Sequence, residues 1–139
     1  MNATLLYRIT AVLLLLFASG HTAGFVIFKP ATPEGLSVFN SMDQVHFPVG
    51  SASYTMGQFY RGFGFFATAY LLFGAYVAWH LGALARTNPL AIGALKWVFF
   101  VLQLASILLS WIYFFPPPVV FSVLTAISTG WAALRLHHV

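Results

Sequence analysis

The residue of this 139-residue sequence with the clearest chemical potential is His21. It lies inside a long apolar stretch, where an ionisable side chain is costly and is therefore a candidate functional residue. An imidazole there could ligate haem, relay a proton or hydrogen-bond a ligand. The alternative is a neutral histidine that hydrogen-bonds a polar side chain of a neighbouring helix.

Arg61 is the second candidate, because a guanidinium stays charged and needs a partner. The sequence contains two acids, Glu34 and Asp43, and both precede Arg61 in the more polar segment 29–56. We therefore predict an ion pair from Arg61 to Asp43 or Glu34. The alternative is that Arg61 extends its side chain to lipid phosphate.

A haem with two axial histidines requires both of them at one depth. His80 lies near the opposite end of its own apolar stretch, on the order of 20 Å from the level of His21 at helical rise, which argues against that pair. His46 with His21 keeps a haem-binding electron carrier as a third hypothesis. We interpret His137 and His138 as a solvated tail, and we predict no metal site and no cofactor.

Catalytic signatures are absent from the sequence. It has no Cys, no phosphate-binding loop, no His-Glu-x-x-His, no serine nucleophile elbow and no paired carboxylates within an apolar stretch. The sequence therefore leaves open whether the chain is an enzyme.

The composition indicates whether the chain is surrounded by water or by lipid. Hydrophobic residues make up 60% of the chain and charged residues 6%, whereas soluble domains carry about a quarter charged residues. This excludes a soluble enzyme, a disordered region and a nucleic-acid-binding domain. Membrane lipids are the predicted surroundings.

Four apolar stretches have the length of a membrane span. Helix-breaking prolines lie between them, as in Lys29-Pro30 and Pro116-Pro117-Pro118. We predict an all-α fold, a four-helix transmembrane bundle formed as a single domain by residues 1–139. The predicted spans are 5–28, 57–82, 90–115 and 119–136.

The first stretch also resembles a signal peptide, with Arg8 before an apolar run and Ala18-Ser19-Gly20 as a cleavage site. Because the apolar character continues to Phe28, we interpret it as a span. The basic residues then favour both termini inside the cell. The predicted inner side carries Arg8, Arg86, Lys96 and Arg135, joined by the terminal histidines, and the outer side carries Lys29 and Arg61.

The outer loop 29–56 connects the first two spans. Thr32-Pro33-Glu34 predicts the start of a short helix, because proline and an acid suit a first turn. Leu36, Phe39 and Asp43 follow at helical spacing, and residues 47–51 are predicted to be extended. We expect a flap over the outer mouth of the bundle.

On the third predicted span, polar side chains recur at helical spacing, starting at Gln103. On the second predicted span they do so starting at Gln58. In the predicted topology most of them lie in the outer half of the membrane, which indicates a polar-lined depression open to the outside. The alternative is packing, through bonds between helices or to carbonyls of the same helix. The predicted ligand-binding residues are His21, Gln58, Arg61, Thr68, Gln103, Ser106, Ser110 and Tyr113.

Two short motifs carry a resemblance. The chain contains Gly20-His21-Thr22-Ala23-Gly24-Phe25 in the first span and Gly62-Phe63-Gly64 in the second. It resembles a family of small bacterial four-helix membrane proteins with Gly-His-Thr-x-Gly-Phe and Gly-Phe-Gly motifs, and it is similar in architecture to DoxX-like proteins. The resemblance implies a multi-pass protein of the bacterial inner (cytoplasmic) membrane and emphasises His21 and Arg61, but it implies no activity.

Two other functional hypotheses rank above haem binding. The first is a protein that binds a lipophilic ligand, such as a quinone, isoprenoid or lipid, in the outer half of the bundle. The second is an accessory subunit of a larger respiratory or photosynthetic membrane complex, in which the polar faces pack against partner subunits. Fifteen Phe and four Trp provide contact area for either.

Overall fold

A computed structural model describes residues 1–137, so His138 of the predicted tail lies outside the described residues. Four long apolar helices dominate this part of the chain, as the sequence predicts, and each is long enough to cross a membrane. By helix length and hydropathy this is a multi-pass membrane protein. The four helices are α1 (Ala3–Ile27), α3 (Met56–Thr87), α4 (Leu95–Tyr113) and α5 (Pro116–Arg135).

The helices and the predicted spans differ in where they begin and end. Helix α3 has 32 residues, about 48 Å, and therefore exceeds a hydrocarbon core of about 30 Å. Helix α4 begins later than predicted, because Pro89–Ile92 forms a 3-10 turn and Gly93 follows with a positive φ of 50°. Helix α5 begins earlier, at Pro116, because prolines suit a first turn, where the backbone N–H needs no acceptor.

The segment between α1 and α3 contains a helix and a hairpin. Helix α2 (Pro33–Gln44) begins where predicted, and the Thr32 hydroxyl accepts the Gly35 N–H at 3.1 Å. Strands β1 (His46–Val49) and β2 (Ala52–Thr55) then pair antiparallel. Gly50, with φ 62°, occupies the first position of their two-residue turn, where few other residues fit. The all-helical prediction did not include this hairpin.

The chain divides into two compact units. The first contains residues 1–17 together with the chain from residue 71 onward, and here the N-terminal part of α1 and the C-terminal part of α3 pack with α4 and α5. Gly82 allows a close approach in this unit, since a Cβ there would lie 3.3 Å from the Thr4 carbonyl oxygen. Its core includes Leu6, Tyr7, Leu14, Ala78, Leu81, Phe99 and Ala132.

The second unit is formed by residues 18–70. It contains the last part of α1, helix α2, the hairpin and the first half of α3. Ring contacts join these elements: Phe39 of α2 lies edge-on to Phe28 and to Tyr60, with centroid distances of 6.3 and 6.4 Å.

Candidate functional site

The motifs of the first and second spans meet at His21. Its Nε2 lies 3.1 Å from the carbonyl oxygen of Gly64 on α3, so the Nε2–H donates, because a carbonyl can only accept. The ring is half-buried and lies against Phe25, with a centroid distance of 5.3 Å. The imidazole therefore has a polar partner within the apolar segment.

Two threonines continue this contact. The hydroxyls of Thr22 and Thr68 lie 2.8 Å apart, and each also lies within hydrogen-bond distance of a carbonyl on its own helix, that of Ala18 or Gly64. Three contacts thus share two hydroxyl protons. The Gly64 carbonyl oxygen thus lies within hydrogen-bond distance of both the His21 ring and the Thr68 hydroxyl.

Gly64 brings the two helices together. A Cβ there would lie 3.0 Å from ring carbons of Phe25, so the absence of a side chain allows the ring to lie on the α3 backbone. Phe25 also lies edge-on to Phe65 at 5.1 Å. We call His21, Thr22, Phe25, Gly64 and Thr68 the His21 junction.

Arg61 has an acidic partner in α2. Its Nη1 donates to both carboxylate oxygens of Asp43, at 2.8 and 3.1 Å, and about half of each side chain is exposed. Gly57 permits the approach of α2, because a Cβ at this position would collide with the Asp43 carboxylate. Glu34, the other acid considered, lies in the first turn of α2.

Gln58 caps α3. Its Oε1 accepts the backbone N–H of Thr55 at 2.8 Å, while the Thr55 hydroxyl accepts the N–H of Gln58 at 3.2 Å. This reciprocal arrangement is a capping box, for which Thr-x-x-Gln is the sequence signature. The cap leaves the Gln58 amide nitrogen with two donors.

A groove runs between the hairpin and the first turns of α3. Its volume is about 560 Å³, and we call it the aromatic groove. Ring contacts build its wall: Phe59 stacks on Phe47 at 5.8 Å, lies against Tyr54 at 6.0 Å and stacks on Phe63 at 6.3 Å. The lining residues are Val49, Tyr54, Gln58, Phe59, Gly62, Phe63 and Phe66.

The groove and the His21 junction use different faces of α3. At 100° per residue, Phe59, Gly62 and Phe66 cluster on one face, whereas Gly64 and Thr68 point away from it. Of the predicted ligand-binding residues in this unit, Gln58 lines the groove. His21, Arg61 and Thr68 make the helix–helix contacts described above.

The other four predicted residues belong to the unit that includes α4 and α5. Gln103 and Ser110 are buried, and the Ser110 hydroxyl lies 3.1 Å from that of Ser122 on α5. The Ser106 hydroxyl donates to the Leu102 carbonyl of its own helix at 3.0 Å, and the Tyr113 side chain is exposed.

Two further histidines, His46 and His80, contact groups close to them in the sequence. His46 Nδ1 donates to the Gln44 carbonyl at 2.9 Å, and His80 stacks on Tyr76 at 6.2 Å. Within residues 1–137, no group of three or more His, Cys, Asp or Glu is arranged to hold a metal ion.

The sequence interpretation missed the wall of the groove. The signal was present in Phe59, Phe63 and Phe66, whose spacing of four and three residues places three rings on one helical face. Polar groups within the apolar helices do not indicate such a site, because its wall consists of aromatic rings.

Comparison of the chain with protein-family models, curated proteins and solved structures finds no match.

Proposed function

We propose that this protein binds a lipophilic molecule, such as a quinone, an isoprenoid or a lipid, in the aromatic groove. The observation that carries the proposal is the groove itself. Its volume of about 560 Å³ falls within the range of about 300–1,000 Å³ that small-molecule sites occupy.

The chemistry of the lining suits such a ligand. Tyr54, Phe59, Phe63 and Phe66 offer ring faces and edges to a flat or extended apolar molecule. The amide of Gln58 and the hydroxyl of Tyr54 supply a few polar groups, which can orient a carbonyl or hydroxyl of the ligand. A quinone ring with an isoprenoid tail combines both requirements.

The resemblance to small bacterial four-helix proteins supports a location in the bacterial inner membrane. There the ligand would reach the groove from the bilayer. In the predicted topology, with both termini inside, the groove lies at the outer leaflet.

Gly62 provides a direct test, because a Cβ at this position meets no atom within 4 Å and a larger side chain would project into the groove. Gly20→Leu is the matched control, since Gly20 is equally open, helical and outside the groove. Each protein is purified from membranes of its host, and its organic extract is analysed by mass spectrometry. Wild type and Gly20→Leu should retain the same lipophilic molecule, and Gly62→Leu should lose it while keeping its helical circular dichroism. Equal retention by all three, or no retention by wild type above a detergent blank, would reject the proposal.

An accessory-subunit role is the second candidate. Phe63, Phe66 and Tyr70 form one exposed stripe of α3, with 64–73% of each residue accessible, and an apolar partner helix could cover them. Native gel electrophoresis of gently solubilised membranes tests this role. Co-migration with a larger complex, unchanged in Gly62→Leu, would favour the subunit role over ligand binding.

A further inference from the structure

A second cavity, of about 470 Å³, lies in the unit formed by residues 1–17 and the chain from residue 71 onward. The first turn of α1 and the C-terminal ends of α3 and α5 surround it. Its charged lining residues are Arg86 and Arg135, beside the polar side chains of Asn2 and Thr4 and the apolar Leu136.

The charge balance of this unit is one-sided. It holds four of the six basic side chains of the sequence, whereas both acids, Glu34 and Asp43, belong to residues 18–70. No acidic side chain of this unit can neutralise a guanidinium. The basic residues are Arg8, Arg86, Lys96 and Arg135.

Two of these cations are already engaged. The guanidinium carbon of Arg8 lies 3.2 Å from the ring centroid of Trp79, and the Lys96 ammonium donates to the Leu136 carbonyl at 2.9 Å. Among the described residues, Arg86 and Arg135 form no ion pair. The cavity thus brings together two of the three guanidinium groups of this unit, none of which forms an ion pair among the described residues.

Arginine at a helix C-terminus commonly interacts with the last carbonyls of the helix. Here carbonyls near both helix ends have other donors. The Thr87 hydroxyl and the Asn88 N–H satisfy the Ala83 and Leu84 carbonyls of α3 at 3.1 and 2.8 Å, and Lys96 satisfies Leu136 beyond α5. Both arginines are exposed and line the cavity, where a ligand can reach them.

The beginning of α1 adds donors to the same cavity. The Asn2 side-chain oxygen accepts the Leu5 N–H at 2.9 Å, so Asn2 caps the helix, and its amide group remains as a donor. The N–H groups of Ala3 and Thr4 belong to the first turn and have no acceptor within the helix. Guanidinium groups and a helix N-terminus both favour phosphate.

We propose that this cavity binds the phosphate headgroup of an anionic phospholipid. The occupant is a lipid, because the cations lie at the ends of long apolar helices and share the cavity with Leu136, against which an acyl chain can pack. In the predicted topology the site faces the cytoplasmic leaflet. It shares no lining residue with the aromatic groove, and its test does not depend on the proposed function.

The test is a titration of the full-length protein in detergent, followed by native mass spectrometry. The two probes are dioleoylphosphatidylglycerol and dioleoylphosphatidylcholine, which share acyl chains and differ in headgroup charge. Wild type should bind the anionic lipid about 30-fold more tightly, the effect expected of two cations near a membrane surface. Arg86→Gln and Arg135→Gln should each reduce that preference about fivefold. Together they should abolish it.

Three controls separate the site from general charge and folding effects. Lys29→Gln removes one positive charge outside the cavity and should leave the preference unchanged. The double Lys substitution, Arg86→Lys with Arg135→Lys, should retain most of it, and all variants should keep the wild-type circular dichroism. Equal binding of both lipids by wild type, or an unchanged preference in the double Gln variant, would overturn the proposal. Displacement of the lipid by an equal concentration of inorganic phosphate would assign the site to a soluble anion and would also overturn it.

Discussion

The imidazole of His21 donates to the backbone carbonyl of Gly64, with 3.1 Å between Nε2 and the oxygen. The partner is a main-chain group of another helix rather than a polar side chain. It is reached where Phe25 packs on a residue without a Cβ. The costly histidine and the small glycine therefore belong to a single helix–helix contact.

Replacing His21 by Leu tests how much that hydrogen bond contributes to the free energy of unfolding. The Gly64 carbonyl keeps the Thr68 hydroxyl as a donor at 3.1 Å, so no buried acceptor is orphaned. We expect a loss of about 1 kcal/mol in the free energy of unfolding. Unfolding in detergent with a denaturing surfactant, followed by circular dichroism, measures this, and a loss several times larger would show that His21 does more than pack.

Gly64→Ala should destabilise the protein by about 1–3 kcal/mol, because the added methyl group enters the space of the Phe25 ring. Gly62→Ala is the control on the same helix. Its Cβ meets open space, and we expect a gain of about 0.5–1 kcal/mol from the better helix propensity of alanine. Thermal unfolding compares the two, and Phe25→Leu should restore part of the stability of Gly64→Ala. Equal effects at the two glycines would contradict the close contact.

The Arg61–Asp43 pair should contribute little to stability, because each side chain is about half exposed. A double-mutant cycle of Arg61→Gln and Asp43→Asn should give a coupling of about 0.2–1 kcal/mol that decreases as salt is added. Glu34→Gln is the matched control and should show no coupling with Arg61. Amide exchange of α2 should accelerate when the pair is broken, and an unchanged exchange rate would show that the pair does not hold the helix.

The Ser110–Ser122 contact joins α4 to α5 through a buried bond of 3.1 Å. A double-mutant cycle with alanine should give a coupling of about 0.6 kcal/mol, the average found for side-chain bonds between membrane helices. Ser106→Ala provides the comparison, since its hydroxyl bonds within its own helix and should show no coupling with Ser122. Equal coupling of Ser106 and Ser110 to Ser122 would argue against a specific contact.

The sequence by itself determined that the chain lies in a membrane and where its long helices form. Four apolar stretches separated by breakers are a local property, since an isolated span already has to satisfy its own backbone within the membrane. The start of α2 was equally local, because Thr32 and Pro33 act on the adjacent turn. The hairpin was not predicted, because each of its strands has only four residues.

Only the tertiary structure decided which partners the polar residues take. Every residue has a carbonyl, so nothing in the sequence distinguishes Gly64 as the acceptor for His21. The groove depends on Gly62 lying opposite the hairpin and is visible only when the two segments are placed together. The basic cavity likewise joins Arg86 and Arg135, which are 49 positions apart in the chain. Local composition indicates which residues are costly in a membrane, but the packing of distant segments determines what satisfies them.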